Sequence, residues 1–375
     1  MSTLTLTAKQ DEAIKLAVKN VFNQVPITRI GGYAGTGKTT VLKEIISDLE
    51  DHKLRAMPCA FTGKAALRMR NKGVFDASTI HSLIYSFNRH THTWHKRLEL
   101  DGDYFLIDEA SMISKDLWRD IQSFDLPCIL IGDIGQLEPV GDDPKLLATS
   151  DIILDEIHRQ DADSGIICFA TNVRLDKTFA FSNEYRDVSL RRTKTIGESD
   201  LRDNDIILCG LNKTRQLFNR RLRKLYDRTD ELNAGDKIIC LANNSKIGIF
   251  NGEIFTVKEL KKKTSDVLEI LVETCDGNTL DLPLWRAQLD NPDNLATKFK
   301  LVGEYNGKKR YKPLIMDSYK YAFCDFGYCI TCHKSQGSEW DNVLVIDEQI
   351  PHLWDSKRWR YTAITRAAKK LTYIL

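Results

Sequence analysis

No segment of this 375-residue sequence is apolar for long enough to span a membrane. The opening MSTLTLTAKQDEAIK has neither the basic start nor the apolar core of an export signal, so an intracellular, cytoplasmic protein is expected. A dominant charge is also missing. The net value is only +2, which announces no nucleic-acid partner globally and leaves any basic surface to be local. With 42% hydrophobic and 28% charged residues, the composition excludes a disordered chain, and the length gives room for two or three domains. Paired cysteine spacing is scarce. The nine cysteines are odd in number and scattered, many of them within apolar runs such as PCILIGD and DIILCG, which reads as reduced, buried thiols.

One stretch departs from that pattern. Residues 328–337 read YCITCHKSQG, and CITCH fits the C-x-x-C-H of c-type haem attachment. No second close cysteine pair with zinc-like spacing accompanies Cys329 and Cys332, although Cys324 is near. Haem attachment of this type follows export, for which no signal is seen. Structural thiols are therefore preferred to haem or metal.

What is present begins with a phosphate site. ITRIGG (27–32) is a short apolar strand, and VLKEIISDLE repeats apolar residues at helical spacing. Between them, Gly32-x4-Gly37-Lys38-Thr39 matches G-x-x-x-x-G-K-[ST] in full. Glycines let backbone N–H groups turn inward around phosphate oxygens, and the following helix start adds a favourable dipole. Gly35, Thr36, Gly37 and Thr40 belong to this cradle. Lys38 can reach the β- and γ-phosphates, and the Thr39 hydroxyl is positioned for Mg²⁺. The pattern predicts a nucleoside triphosphate site, with ATP and Mg²⁺ as cofactors.

Further apolar strands are expected at AMPCAF (56–61), YFLIDE (104–109), CILIGD (128–133) and DIILDE (151–156), several separated by helical patterns. That alternation predicts an α/β fold with a parallel sheet. YFLIDE ends in adjacent carboxylates at the strand edge where such sheets hold ligands. Asp108 would hold Mg²⁺ through water, and Glu109 would polarise the attacking water.

With these motifs in place the chain resembles the superfamily 1 DNA helicases of the 5′-to-3′, RecD/Dda-like group, in order and over nearly its whole length. LTAKQDEAI (6–14) resembles the motif whose glutamine, here Gln10, reads adenine. CAFTGKAALRM (59–69) and STIHSLI (78–84) resemble the next two motifs, and put Thr62, Lys64 and His81 on the DNA side. GDIGQLEPV (132–140) supplies Gln136 as the γ-phosphate sensor, and EIHRQ (156–160) supplies Arg159 as a candidate arginine finger. In YCITCHKSQGSEWDNVLVI (328–346), the resemblance implies DNA contacts at Thr331, His333 and Ser335, and nucleotide contacts at Gln336, Gly337 and Glu339. In YTAITRAAKKLTYIL (361–375), it implies that Arg366 is the second finger. CITCH is then a chance match to the haem pattern. Phe61 and Glu138 stand where the family usually has proline.

The resemblance implies two RecA-like P-loop NTPase domains that close on ATP. The first is expected over 1–160, and the second over 161–231 with 321–375. Residues 232–320 read as short alternating strands with Asn-Gly and Asp-Gly turns, and so as a small inserted β-barrel similar to the family's SH3-like insertion. Residues 85–103 suggest a β-hairpin that serves as a strand-separating pin, with Trp94 near its tip; a buried Trp94 is the alternative. His90, His92 and His95 raise zinc, but no acid or cysteine joins them at close spacing. Arg220, Arg221, Arg223 and Lys224 are expected on one basic, solvated helix face, with DNA contact as the alternative.

The expected activity is an ATP-dependent DNA helicase that moves 5′ to 3′ and serves replication, recombination or repair. Single-stranded and forked DNA are the partners, with a single-strand-binding or recombination protein as a further one, and the chain is expected to act as a monomer away from membranes. A P-loop kinase, an ATP-switched binding module and an RNA translocase are the competing readings.

Overall fold

Strand β1 (Ile27–Gly32), which leads into the glycine loop, lies one strand in from the edge of the sheet on which the first half of the chain is built. The computed structural model describes residues 6–88, 93–138, 144–157, 164–177, 186–192, 196–229, 231–244, 246–274, 277–291, 299–305, 308–313, 320–348 and 355–375. The chain divides into two compact units. One takes Met1–Asp187 with Ile350–Thr365, and the other takes Val188–Gln349 with Arg366–Leu375.

The first unit holds a parallel sheet of β1, β2 (Ala56–Ala60), β3 (Ser78–Thr79), β6 (Tyr104–Asp108), β7 (Cys128–Asp133) and β8 (Ile152–Leu154), in the order β3-β2-β6-β7-β1-β8. Strands β6 and β7 are nearly continuous buried runs because both faces are covered. Leu106, Ile129 and Ile131 pack on one face with helices α1 (Ala8–Phe22) and α2 (Lys38–Asp51). Phe105, Ile107 and Leu130 pack on the other with Leu117, Trp118 and Ile121 of α5 (Lys115–Gln122). Helix α1 starts where Thr7 and Gln10 close a capping box, which satisfies two backbone donors reciprocally. Helix α3 (Gly63–Asn71) and the short α4 (Ile80–Ile84) start on a single side-chain cap each, Thr62 accepting from the Ala65 N–H and Thr79 from the Ser82 N–H. An antiparallel hairpin of β4 (Tyr85–Asn88) and β5 (Thr93–Lys96) follows α4, with Phe87 opposite Trp94. His90 and His92 lie outside the described residues, as do the side chain of Trp94 and the whole of Arg159. Two further helices complete this unit, α6 (Gly165–Arg174) and the late α9 (Ser356–Ile364).

The second unit holds its own parallel sheet, ordered β18-β10-β19-β20-β9, from β9 (Val188–Arg191), β10 (Ile206–Cys209), β18 (Cys329–Thr331), β19 (Trp340–Ile346) and β20 (Ala367–Ile374). Beside it runs an antiparallel sheet ordered β14-β13-β12-β11-β17, from β11 (Lys237–Cys240), β12 (Ile254–Lys263), β13 (Val267–Glu273), β14 (Thr279–Trp285) and β17 (Cys324–Phe326). Strands β15 (Phe299–Tyr305) and β16 (Lys308–Pro313) form a separate hairpin. The short α7 (Glu198–Arg202) lies between β9 and β10.

Helix α8 (Asn212–Leu225) ties the antiparallel sheet to the parallel one through residues four apart. Arg215 pairs with Asp325 at 2.6 Å. Asn219 donates its amide to the carbonyls of Phe326 and Cys329 and accepts from the Cys329 N–H. Arg223 pairs with Asp236 at 3.1 Å, and both are buried. Arg223 was expected on a solvated basic face, and that expectation fails. The period of α8 turns it inward with Arg215 and Asn219, where a buried guanidinium needs a buried carboxylate.

Candidate active site

Parallel pairing aligns the functional ends of three neighbouring strands. Gly32, which opens the glycine loop, is in register with Asp133 at the end of β7, and Ile107 of β6 is in register with Leu130. The loop, Asp108 and Asp133 therefore stand in a row along the C-terminal edge of one sheet, where α/β folds bind ligands. Gly35 and Gly37 both adopt φ of 75°, the left-handed region that glycine enters without strain, and the loop turns there into α2. Lys38 lies back along the loop, with Nζ 2.7 Å from the Tyr33 carbonyl oxygen, 3.2 Å from that of Gly32 and 3.6 Å from Asp133 Oδ2. Thr36 is buried and donates to the Tyr33 carbonyl, while Thr39 and Thr40 are half-buried in the first turn of α2.

Gln10 reaches this loop from α1. Its Nε2 donates to the Thr36 carbonyl at 3.0 Å, and its Oε1 accepts from the Thr7 N–H at 2.9 Å. The expected adenine reader thus fastens the helix start to the phosphate loop. Glu109 follows Asp108 in a left-handed conformation, φ 53°, which turns its buried side chain off the line of the strand. Its N–H donates to Asp108 Oδ1 at 2.9 Å.

The GDIGQLE loop is shaped from within. Asp133 Oδ1 accepts from the Gly135 N–H at 2.9 Å, and Gln136 is buried. Thr62 caps α3 by accepting from the Ala65 N–H, with Lys64 half-buried in the first turn. His81 is flanked by the rings of Phe61 and Tyr85, and burial pulls its pKa below 6.5, toward the neutral ring. Phe61, a departure from the resembled pattern, therefore packs against a motif histidine. A cavity of about 250 Å³ next to this loop is lined by Ser111, Asp133, Gln136, Lys145 and Arg358 among others.

In the second unit, the haem-like stretch is an interior strand and turn. Cys329 and Cys332 are buried, and the Cys329 sulfur lies 3.7 Å from that of Cys209. Burial pushes the Cys332 thiol up to about 12. Thr331 and His333 are half-buried, and burial lowers the pKa of His333 and of Lys334, whose Nζ donates to Asn251. Ser335 stands apart from its expected role at DNA. It is fully buried and donates to the Cys332 carbonyl at 2.6 Å, so it shapes the turn from inside. Gln336 is buried, Gly337 turns at φ 70°, and Glu339 is half-buried. Arg366 is 3% exposed and donates to the Ser338 carbonyl at 2.9 Å.

Comparison with known proteins agrees with this order of motifs. Residues 5–189 match the family model of an AAA domain, and residues 326–374 match that of a UvrD-like helicase C-terminal domain. Together these matches make the chain similar, over most of its length, to superfamily 1 helicases of the RecD kind. The ATP-dependent RecD2 DNA helicase of Deinococcus radiodurans is 28% identical over 369 residues, covering 90% of this chain and 45% of the relative. The conjugal transfer protein TraA of Agrobacterium fabrum is 25% identical over 398 residues, covering 96% and 32%. The chain therefore spans less than half the length of these curated relatives. Among solved structures, Pif1 helicase from Bacteroides in complex with ADP-AlF3 and ssDNA aligns with a TM-score of 0.59 at 18% identity, covering 99% of this chain and 92% of that one. Pif1 helicase from Candida albicans aligns at 0.52 and 17%, covering 99% and 94%.

Three residues of α9 at this site carry no expectation from the sequence. Arg358 Nη1 lies 3.3 Å from the Gln136 carbonyl oxygen and 3.2 Å from a Glu138 carboxylate oxygen. Thr362 Oγ1 accepts from the Leu137 N–H at 2.8 Å. Tyr361 Oη meets both Asp133 and the Ala34 N–H. Glu138, where the resembled pattern has proline, is thus an ion-pair partner for this helix. The signal was available: 358, 361 and 362 fall on one helix face. Nothing in the spacing named the loop they meet.

Proposed function

We propose that the chain is an ATP-dependent DNA helicase that translocates 5′ to 3′ on single-stranded DNA and unwinds duplexes in replication, recombination or repair. The observation that carries this reading is the row of phosphate loop, Asp108-Glu109 and Asp133 on adjacent strand ends of one parallel sheet. The in-order resemblance of the remaining motifs supports it, and the direction of travel rests on that resemblance alone.

Lys38 and the N–H groups of the glycine loop hold the phosphates, Glu109 polarises the attacking water, and Gln136 senses the terminal phosphate. Thr39 and Asp108 are hard oxygen donors suited to Mg²⁺, which would neutralise phosphate charge. Arg159 and Arg366 serve as fingers, and Arg366 must first leave its bond to the Ser338 carbonyl. Gln10 contacts the adenine side, and Gln336, Gly337 and Glu339 the nucleotide. Thr62, Lys64, His81, Thr331 and His333 face the DNA backbone, whose contacts are independent of sequence.

In this reading the two RecA-like domains are 1–160 and 161–231 with 321–375, although α6 and α9 fall in the same compact unit as the first. Residues 232–320 are the SH3-like insertion, and 85–103 the pin that carries Trp94. The protein acts as a monomer on single-stranded and forked DNA. Among the described residues no helix is long and apolar enough to cross a membrane.

The test is unwinding of fluorescent duplexes with either a 5′ or a 3′ single-stranded tail, alongside ATP hydrolysis with and without DNA. Unwinding of the 5′-tailed substrate alone is expected; unwinding from the 3′ tail refutes the direction, and DNA-independent hydrolysis refutes the motor. Trp94→Ala should slow unwinding several-fold to roughly a hundredfold while sparing DNA-stimulated hydrolysis. Equal loss of both would remove the pin.

A further inference from the structure

The hydroxyl of Tyr361 sits on a donor of the phosphate loop. The Ala34 N–H donates to it at 2.7 Å, and the hydroxyl in turn donates to Asp133 Oδ2 at 3.1 Å. Asp133 is the carboxylate that Lys38 approaches, while Lys38 itself is spent on the carbonyls of Gly32 and Tyr33. Two groups of the phosphate loop are thus already engaged by the protein: its lysine and the N–H of Ala34.

The seat of the phenol is tightly built. Tyr361 is 2% exposed. A Cβ at Gly135 would come within 2.8 Å of its ring, so only glycine leaves the ring room there. The Tyr33 ring meets it edge-on at 6.4 Å, and the Arg174 guanidinium covers Tyr33 at 3.8 Å. Flanking residues of the same helix, Arg358 and Thr362, hold the backbone of Gln136 and Leu137. A single phenol therefore joins the phosphate loop, the GDIGQLE loop and the last turn of α9. Four residues beyond that turn's Thr362 is Arg366, where the chain has passed into the second unit.

We infer that Tyr361 is a positioning residue that occupies the Ala34 N–H in place of a nucleotide phosphate and is displaced from it when the triphosphate binds. The inference rests on the proposed use of the loop for ATP. A phosphate oxygen is a charged acceptor and forms a stronger bond to an N–H than a phenol does, so the nucleotide wins the donor. The phenol then keeps only Asp133, and α9 is released from the phosphate loop while Thr362 still holds Leu137. The cradle thereby reports its occupancy to the helix that leads into Arg366. In the absence of nucleotide, the same contact lowers affinity, because ATP must compete with a pre-formed hydrogen bond.

Tyr361→Phe removes the hydroxyl and keeps the ring against Gly135. The dissociation constant of a fluorescent ATP analogue, measured without DNA, should fall about two- to tenfold, the worth of one modest hydrogen bond lost as a competitor. The stimulation of ATP hydrolysis by single-stranded DNA should fall in the same variant, because the released helix no longer distinguishes the empty from the filled cradle. Gly135→Ala, which pushes the ring off its seat, should tighten nucleotide binding in the same direction. Unchanged or weaker binding by Tyr361→Phe, at unchanged thermal stability, overturns the inference. So does tighter binding with DNA stimulation fully retained. Wild-type protein that binds no ATP would instead defeat the functional reading itself, and both statements would fall together.

Discussion

Replacing Arg223 by methionine tests whether the charged stripe of α8 is interior. Asp236 has no exposed surface and receives four donors: Arg223 Nε and Nη2, each at 3.1 Å, the Tyr328 hydroxyl at 3.0 Å and the Asn233 N–H at 2.8 Å. Methionine fills much of the arginine stem but supplies no donor, so the carboxylate keeps two of its four hydrogen bonds and loses its counter-charge. Breaking a buried pair from one side costs about 3–5 kcal/mol. The two surviving hydrogen bonds, each worth about 1 kcal/mol, favour the lower end of that range. The carbonyls of Thr229 and Glu231, which also accept from Arg223, lose a partner and push the other way. A loss of roughly 3–4 kcal/mol is expected in the unfolding transition of the second unit, followed in urea by circular dichroism and tryptophan fluorescence. The loss should be nearly insensitive to salt, since a buried pair is weakly screened. A loss below about 1 kcal/mol, diminishing with salt, would return Arg223 to the solvated face predicted from sequence.

Lys38→Ala should abolish ATP hydrolysis, whereas Glu109→Gln should bind ATP and turn it over very slowly; near-normal DNA-stimulated turnover by Glu109→Gln would dismiss it as the water-activating group. Arg366→Ala should lower turnover by about a thousandfold with nucleotide affinity retained, and a tenfold or smaller drop would leave Arg366 a structural bond to Ser338. Burial holds the pKa of His81 below 6.5, so the unfolded chain takes up a proton there before the folded one does. Stability should be full above pH 6.5 and decline as pH falls toward the folded value, by at most about 1.4 kcal/mol per pH unit for this group. His81→Gln should flatten that part of the pH–stability curve, and an unaltered slope would mean the ring is freely solvated.

The phosphate loop, the carboxylates of YFLIDE and the parallel sheet were legible because each is a local pattern: an apolar run, a glycine turn, a helix repeat. The family-like order of short motifs carried the rest of the outline. Side-chain direction was less legible. Arg223 looks like its basic neighbours until Asp236 is brought beside it. Ser335 looks like a backbone binder until the turn closes on the Cys332 carbonyl. Tyr361 is one residue in a motif read for its arginine, and its partner Ala34 lies more than 300 residues away. Contacts of that separation follow from the packing of finished elements, which periodicity and spacing do not encode.

The segment between β11 and β17 leaves and rejoins the second unit on adjacent strands. Ile238 lies opposite Phe326 and Cys240 opposite Cys324, so the ends of everything between them meet side by side in one ladder. The two buried ion pairs of α8 grip those same ends, at Asp236 just before β11 and at Asp325 within β17. Beyond these grips the segment meets its unit at Asn251, which accepts from Lys334, and at Asp290, which meets Gln216 and Arg220 of α8. Loop closure costs only about 0.6 kcal/mol for each doubling of length. The ladder is thus a splice point, at which the parts of the segment away from these contacts can change in length while β17 keeps its register with β11.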